Sequence, residues 1–289
     1  MITKETYKLN NGVEIPKIGY GTWMIDNDAV VDAVKTAINV GYTHIDTAQA
    51  YQNEEGVGKA IKESDVARED LFVTTKLAAE VKSYDEAVKS IDESLKTMGL
   101  DYIDMMIIHS PKPWQEFQNE DRYFEGNLEA WKALEEAYEA GKLKAIGVSN
   151  FKKEDLDNIL ENAKVKPQVN QILAHITNVP TDMIAYAKSK DILIEAFSPL
   201  GHGELFKNEA VKAVAEKYGV SVPQLAIRYD LQLGLLPLPK TQTPDHMKSN
   251  TEVDFEISAE DMDFKCQSQN LLILNISSDL GSDFQNQKI

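Results

Sequence analysis

The amino-acid sequence predicts an α/β fold, a (β/α)8 TIM barrel preceded by an N-terminal β-hairpin. Short apolar runs alternate with segments of helical periodicity along the chain, which is typical of a parallel sheet with crossover helices. Eight such runs occur without an intervening linker, and eight strands favour a closed barrel over two domains. The candidate strands lie near residues 17–21, 43–47, 71–76, 102–109, 144–148, 167–171, 192–197 and 235–239.

The elements around these strands have their own signatures. Residues 7–15 alternate around an Asn-Gly pair, which is a strong hairpin signal. Residues 127–138 place apolar side chains at spacings of three and four, which predicts an amphipathic helix with Asn127 as its N-cap. Trp131 lies on the apolar face of that helix and is therefore interpreted as a core residue rather than a ligand contact.

A doubly wound sheet is the main rival to the barrel, but its dinucleotide fingerprint is missing. Gly19 and Gly21 are followed by no third glycine and by no acidic partner about twenty residues on. We therefore predict one barrel domain over residues 1–264. Residues 265–289 are poor in charge and rich in Asn, Gln and Ser, and they form an atypical C-terminal tail in this division.

The composition excludes several classes of protein. A formal net charge of −17 argues against binding to nucleic acid or to anionic membranes, which require basic surface. Cys266 is the single cysteine, so no intrachain disulfide can form. The N-terminus lacks the apolar stretch of a signal peptide, and no run approaches 18 apolar residues. A cytoplasmic protein without nucleic-acid or membrane partners is expected.

Three candidate strands each end in one ionisable residue: Asp46, Lys76 and His109. The intervals of 30 and 33 residues match one strand, one crossover helix and two loops. The carboxyl ends of successive parallel strands share one rim of a barrel, so these side chains are expected to converge there, with Tyr51 five residues beyond Asp46. The histidines show no metal-ligand spacing, and no metal is expected; His44 and His175 are interpreted as structural.

Tyr51 and Lys76 together favour proton transfer at neutral pH. An ammonium about 4 Å from a phenol stabilises the phenolate by about 4 kcal/mol at an effective dielectric near 20. That energy would lower the tyrosine pKa by roughly three units, toward the range in which a general acid–base works best. Asp46 would keep Lys76 charged, and His109 would bond a substrate oxygen or orient the tyrosine. A purely structural Asp–Lys pair is the competing interpretation.

Several longer segments carry a family resemblance. Residues 41–48 and 51–58 closely resemble the first signature of the aldo-keto reductases, and five further segments match in order between residues 5 and 262. They are Thr74–Leu77, Ile107–Pro111, Ala145–Phe151, Val169–Ile172 and Phe197–Gly201. The branch is similar to the bacterial 2,5-diketogluconate reductase type. The resemblance implies a monomeric (β/α)8 barrel that uses NADPH without a Rossmann fold.

The resemblance also assigns roles to residues. Its catalytic tetrad falls on Asp46, Tyr51, Lys76 and His109, with Tyr51 protonating a carbonyl oxygen as hydride arrives from the nicotinamide. It places Ser149, Asn150 and Gln171 on the carboxamide and stacks the Phe197 ring on the nicotinamide, where phenylalanine retains the π-face of the usual tyrosine. The remaining cofactor contacts that it implies are Gly21, Thr22, Ser198, Leu200, Lys240, Thr241, His246 and Asn250.

The segment from Lys240 to Asn250 resembles the part of the family that grips the 2′-phosphate and the adenine. His246 stands where arginine is common, and a largely neutral imidazole binds phosphate less well than a permanently charged guanidinium. NADPH remains the expected cofactor, with NADH possible. Trp23, Trp114 and Phe117 are expected to line the substrate pocket, because aromatic side chains on barrel-top loops suit an apolar wall.

The predicted function is NADPH-dependent reduction of small aldehydes, ketones or diketones, including keto sugars, to alcohols. One alternative is an aldolase that forms a Schiff base at Lys76, since barrel enzymes also place a lysine at a strand end. Another alternative is a regulatory barrel that binds the cofactor without significant turnover.

Overall fold

A computed structural model describes residues 1–263 and places ten strands and ten α-helices in them. The strands are β1 (Thr6–Lys8), β2 (Glu14–Pro16), β3 (Tyr20–Gly21), β4 (His44–Asp46), β5 (Phe72–Leu77), β6 (Ile103–Ile108), β7 (Leu143–Ser149), β8 (Val169–Leu173), β9 (Leu193–Phe197) and β10 (Leu236–Leu238). The helices are α1 (Asn27–Asn39), α2 (Glu54–Lys62), α3 (Tyr84–Met98), α4 (Phe124–Glu139), α5 (Lys153–Asn162), α6 (Thr181–Ser189), α7 (Glu209–Lys217), α8 (Val222–Gln232), α9 (Pro244–Ser249) and α10 (Ala259–Met262).

Strands β3 to β10 form one parallel sheet in chain order, and the sheet closes into a barrel. The first and last strands are joined by two backbone hydrogen bonds, from Gly19 to Pro237 and from Gly21 to Pro239, each 3.1 Å long. A Cβ atom at Gly19 would lie 2.5 Å from the Leu238 side chain and 2.7 Å from that of His44, so a larger residue there would require both side chains to shift. The predicted barrel fold with its eight strands is confirmed.

The β1–β2 hairpin covers the end of the barrel where the strands begin. Its Leu9 and Ile15 side chains join the apolar core inside the barrel, beside Phe72 and Met105. The Tyr7 hydroxyl donates to the carbonyl of Leu235, 228 positions away. A separate apolar layer packs the helices against the outside of the sheet. Within residues 1–263, the hairpin therefore leaves only the opposite end of the barrel, where the strands finish, open to a ligand.

Helix α4 differs from its prediction at the N-terminus. It begins at Phe124, and Asn127 lies inside it rather than capping it. The buried Asn127 side chain instead donates to the carbonyl of Pro111 and accepts a bond from Lys82, so it ties the helix to the loop after β6. The prediction was wrong because asparagine is suited both to capping a helix and to bonding the backbone of a nearby loop, and the sequence pattern does not distinguish the two. Trp131 is buried, as predicted.

Two other predictions concern the domain boundary and the histidines interpreted as structural. The boundary at residue 264 and the tail over 265–289 lie outside the described residues, so both stay predictions. His44 and His175 are buried and each bonds a threonine hydroxyl. Burial lowers the pKa of His44 to about 3, so its imidazole is neutral.

Within residues 1–263, no helix has the length and apolar character needed to cross a membrane.

Asp230 in α8 is fully buried, and neither carboxyl oxygen has a hydrogen-bond partner among the described residues. Burial raises its pKa well above the usual value. The native state therefore holds a proton that the unfolded chain releases above about pH 4, so the free energy of unfolding falls as pH rises. We expect Asp230→Asn to be more stable than wild type, with a gain that grows by at most about 1.4 kcal/mol per pH unit.

Urea unfolding of both proteins at pH 5 and pH 8 measures this gain. Asp101→Asn is a matched control, because Asp101 is exposed and its carboxylate stays in water. An Asp230→Asn gain that is equal at the two pH values would contradict the explanation from burial.

Candidate active site

The rim formed by the ends of the strands brings Asp46, Lys76 and His109 together. Asp46 is the last residue of β4, Lys76 lies near the end of β5, and His109 follows β6 directly. Lys76 points into the barrel because side chains alternate along a strand, and Phe72 on the same face belongs to the interior core. All three side chains are buried; Lys76 is 0% exposed.

Lys76 and Asp46 form a buried ion pair. The Lys76 Nζ lies 2.5 Å from Asp46 Oδ1 and also donates to the carbonyl of Thr47 at 2.8 Å. The second oxygen of Asp46 accepts a bond of 2.9 Å from the side-chain amide of Gln171. Although burial lowers the pKa of Lys76, the Asp46 carboxylate and Tyr51 raise it above its ordinary value. Lys76 is therefore an ammonium that cannot act as a neutral amine at physiological pH.

Tyr51 ends a short 3-10 turn after β4 and lies between Lys76 and His109. The Lys76 Nζ is 5.0 Å from the centroid of the Tyr51 ring. The rings of Tyr51 and His109 meet edge to face with centroids 5.7 Å apart. A phenol, an ammonium and an imidazole thus surround one point at the mouth of the barrel.

The predicted low pKa of Tyr51 is wrong for this structure. Burial raises the pKa of the phenol, and this effect outweighs the opposing influence of Lys76. Desolvation penalises the phenolate, and the negative charge of Asp46 offsets part of the Lys76 contribution. Tyr51 therefore enters a reaction as a protonated phenol, which is the form required of a proton donor.

His109 is also neutral. Burial lowers its pKa well below the ordinary value, and the positive charge of Lys76 adds to the effect. A neutral imidazole carries one N–H, so it can donate one hydrogen bond without adding charge to the site.

A cavity of about 330 Å³ opens above this cluster. Its lining includes Asp46, Tyr51 and His109, but not Lys76. Most of the predicted cofactor residues also line it: Gly21, Ser149, Asn150, Gln171, Phe197, Ser198, Leu200 and Lys240. Three of the four predicted catalytic residues and most of the predicted cofactor contacts therefore share one cavity.

Four predicted cofactor residues do not line this cavity. Thr22 is fully buried, and its hydroxyl donates to the carbonyl of Asp46 at 3.0 Å. Thr241 and His246 lie beyond the rim in the segment that follows Lys240, as does Asn250. The Thr241 carbonyl accepts a bond of 2.6 Å from Tyr20, and His246 is exposed on α9.

Of the aromatic residues predicted to line the substrate pocket, some line the cavity and one does not. Trp23 and Trp114 line the cavity, whereas Phe117 stacks behind Trp114 with ring centroids 6.1 Å apart. His202 and Phe206 also line the cavity but were not predicted. The sequence could have indicated them, because both lie in the loop after β9, which has glycines at 201 and 203. Loops at the carboxyl ends of barrel strands form the site in this fold.

A (β/α)8 barrel with an acid–base cluster and a cavity where its strands end has the architecture of an enzyme. A family model described as the aldo/keto reductase family matches residues 17–265. Glyoxal reductase from Bacillus subtilis is 42% identical over 262 residues, covering 90% of this chain and 91% of the relative. Methylglyoxal reductase DkgA from Escherichia coli is 37% identical over 265 residues, covering 91% and 92%.

Solved structures agree with these relatives. An aldo/keto reductase from Brucella melitensis is 41% identical with a TM-score of 0.83, and the match covers 91% of this chain and 97% of that one. An aldo-keto reductase from Bombyx mori, solved in complex with NADP, is 33% identical with a TM-score of 0.79, covering 89% and 90%. The chain belongs to the aldo/keto reductase family. The predicted class, an NAD(P)H-dependent oxidoreductase acting on carbonyls, is confirmed.

The cavity residues fit the carboxamide of a nicotinamide. The amide nitrogens of Gln171 and Asn150 are occupied by bonds to carboxylates, to the His109 carbonyl and to Ser149. No donor within residues 1–263 forms a hydrogen bond to the side-chain amide oxygen of Gln171 or of Asn150. Each oxygen can therefore accept a hydrogen bond from a ligand. A carboxamide offers the matching N–H donors.

Proposed function

We propose that this protein reduces small aldehydes and ketones, with α-dicarbonyl compounds as the preferred class, and that NADPH is its reductant. The observation that carries the proposal is the protonated phenol of Tyr51 beside the ion-paired Lys76, on the wall of a cavity lined by aromatic side chains. The names of the two relatives above, glyoxal reductase and methylglyoxal reductase, support the dicarbonyl class. We further propose that the protein acts as a cytoplasmic monomer.

The four polar residues at the rim of the barrel divide the proton chemistry between them. NADPH, when bound in the cavity, would supply the hydride that the carbonyl carbon accepts. The neutral His109 imidazole donates a hydrogen bond to the carbonyl oxygen and holds it toward Tyr51. Tyr51 then gives its proton to the oxygen as negative charge develops there, and the resulting phenolate is stabilised by the adjacent Lys76 ammonium. Asp46 keeps that ammonium in place and charged.

The environment of Lys76 argues against a Schiff-base aldolase. An amine nucleophile must be deprotonated and accessible to its carbonyl substrate. Lys76 is fully buried, does not line the cavity and is held as an ammonium by Asp46. No observation favours the aldolase over the reductase.

Turnover by the wild-type protein tests the proposed function. Loss of NADPH absorbance is followed with glyoxal, methylglyoxal, a simple aldehyde, a simple ketone and a keto sugar. We expect reduction of all the aldehydes, with the highest kcat/KM for the dicarbonyl compounds. Binding of NADPH without turnover of any substrate would instead indicate a regulatory barrel.

The cofactor preference depends on the segment from Lys240 to His246. We propose that Lys240 contacts the 2′-phosphate and that His246 lacks the permanent charge that an arginine would bring there. Because arginine offers a permanent, forked cation, His246→Arg is expected to raise the ratio of kcat/KM for NADPH to that for NADH by about tenfold. Asp245→Asn is the matched control, since it makes the same net charge change one residue away. A strong NADH preference in wild type would refute the assignment.

A further inference from the structure

The side-chain amide nitrogen of Gln171 is shared between two carboxyl groups. Gln171 Nε2 donates to Asp46 Oδ2 and to Glu195 Oε2, and both bonds are 2.9 Å long. Gln171 and Glu195 are directly paired on the neighbouring strands β8 and β9. Glu195 is thus buried beside Gln171 and is linked through it to the Asp46–Lys76 ion pair.

The two bonds determine which way the Gln171 amide points. An amide nitrogen has two hydrogens, and here each has its own acceptor. A flipped amide would bring its oxygen to about the same distance from the Asp46 carboxylate oxygen and leave that oxygen without this donor. The amide oxygen of Gln171 is therefore directed away from Asp46 and Glu195, and Gln171 is a lining residue of the cavity.

Packing does not account for a glutamate at position 195. Its side chain is fully buried, and Oε1 has no hydrogen-bond partner among the described residues. An incompletely bonded buried carboxyl destabilises a fold, so an apolar side chain would serve a purely structural position better. Glu195 is not among the residues that line the cavity, so it acts through its neighbour rather than on a ligand.

The charge state of Glu195 is compatible with the ion pair beside it. Burial raises the pKa of Glu195 to about 8, and the charge of Asp46 contributes, while Gln171 and Lys76 act in the opposite direction. At neutral pH the carboxyl is mostly protonated and still accepts a bond from Gln171. It therefore anchors the amide without adding a second negative charge beside Asp46.

We propose that Glu195 is a positioning residue: acting through Gln171, it holds an amide oxygen toward the cavity for the carboxamide of the nicotinamide cofactor. This inference rests on the proposed function, because it requires that the cavity bind NADPH. Its consequence is that removing the Glu195 acceptor weakens cofactor binding although Glu195 itself touches no cofactor.

The test is the dissociation constant of NADPH, measured by titration calorimetry. Glu195→Met keeps the size of the side chain and removes the acceptor, and we expect the dissociation constant to rise about three- to tenfold, the range for one lost hydrogen bond. Glu195→Gln retains an acceptor oxygen and is expected to restore binding to within about threefold of wild type. Asp230→Asn controls for the loss of a buried carboxyl at a position that does not line the cavity.

A second readout uses pH. The charged groups acting on Glu195 are Asp46 from β4 and Lys76 from β5. Ionisation of Glu195 adds negative charge beneath an anionic cofactor, so wild-type binding is expected to weaken as pH rises through about 8. This inflection in the pH dependence of NADPH binding should be absent from Glu195→Gln. The measurement therefore tests the proposal also when Glu195→Met does not fold.

The outcomes separate the inference from the function. If wild type binds and turns over NADPH while Glu195→Met binds it equally well, the positioning role is refuted and the function stands. The role is equally refuted if Glu195→Gln binds as weakly as Glu195→Met, or retains the inflection near pH 8. A wild-type protein that binds no NADPH overturns both.

Discussion

Replacement of Tyr51 by phenylalanine is expected to lower kcat by about 10²–10⁴-fold, the usual contribution of a general acid. The ring contacts with His109 and Lys76 survive the substitution, and only the proton and the hydroxyl are lost. The dissociation constant of NADPH should therefore change little. Steady-state kinetics with methylglyoxal, combined with calorimetric titration of NADPH, measures both quantities.

Tyr42→Phe is the matched control for the loss of a phenol. Tyr42 is buried, its hydroxyl bonds the carbonyl of Met247, and it lies outside the cavity. Its kcat should remain close to that of wild type. Full activity in Tyr51→Phe would show that another group, with His109 as the first candidate, donates the proton.

Replacement of Lys76 by methionine is expected to destabilise the protein by about 3–5 kcal/mol, because it leaves a buried Asp46 carboxylate without its cation. Turnover should fall as well, since the Tyr51 phenolate loses its stabilising charge. Urea unfolding measures the stability, and NADPH oxidation measures the turnover.

The double variant Asp46→Asn/Lys76→Met separates the two effects. With both charges removed, much of the lost stability should return, while kcat should stay low. Recovery follows because the cost of the single variant lies in the unpaired carboxylate rather than in the missing bond. A Lys76→Met protein as stable as wild type would contradict the ion-pair description.

The parts of the site that depend on strand order could be predicted from sequence. Asp46, Lys76 and His109 each lie at the end of a predicted strand, and the barrel topology alone brings such positions to one rim. The eight strands were recognised for the same reason, since local hydrophobic patterns mark them well.

The parts that depend on burial could not be predicted. The direction of the Tyr51 pKa shift follows from the balance between desolvation and the charge of Lys76, and a sequence does not state how deeply a phenol is enclosed. The pairing of Glu195 with Gln171 across two strands is equally invisible, because it depends on register rather than spacing. The place of Phe117 behind Trp114, outside the cavity lining, depends on how one loop folds back.

The seam that closes the barrel has a consequence for how the molecule is made. Gly19 and Gly21 donate hydrogen bonds to Pro237 and Pro239. Strand β3 therefore gains its second neighbour only after residue 239 has left the ribosome. During synthesis, the growing sheet keeps two unpaired edges, and such edges invite association with other chains. Gly21 and Lys240 face the same cavity, so the cofactor site is complete only after the seam closes. Nascent chains therefore pass most of their synthesis without the ligand that would stabilise the finished barrel.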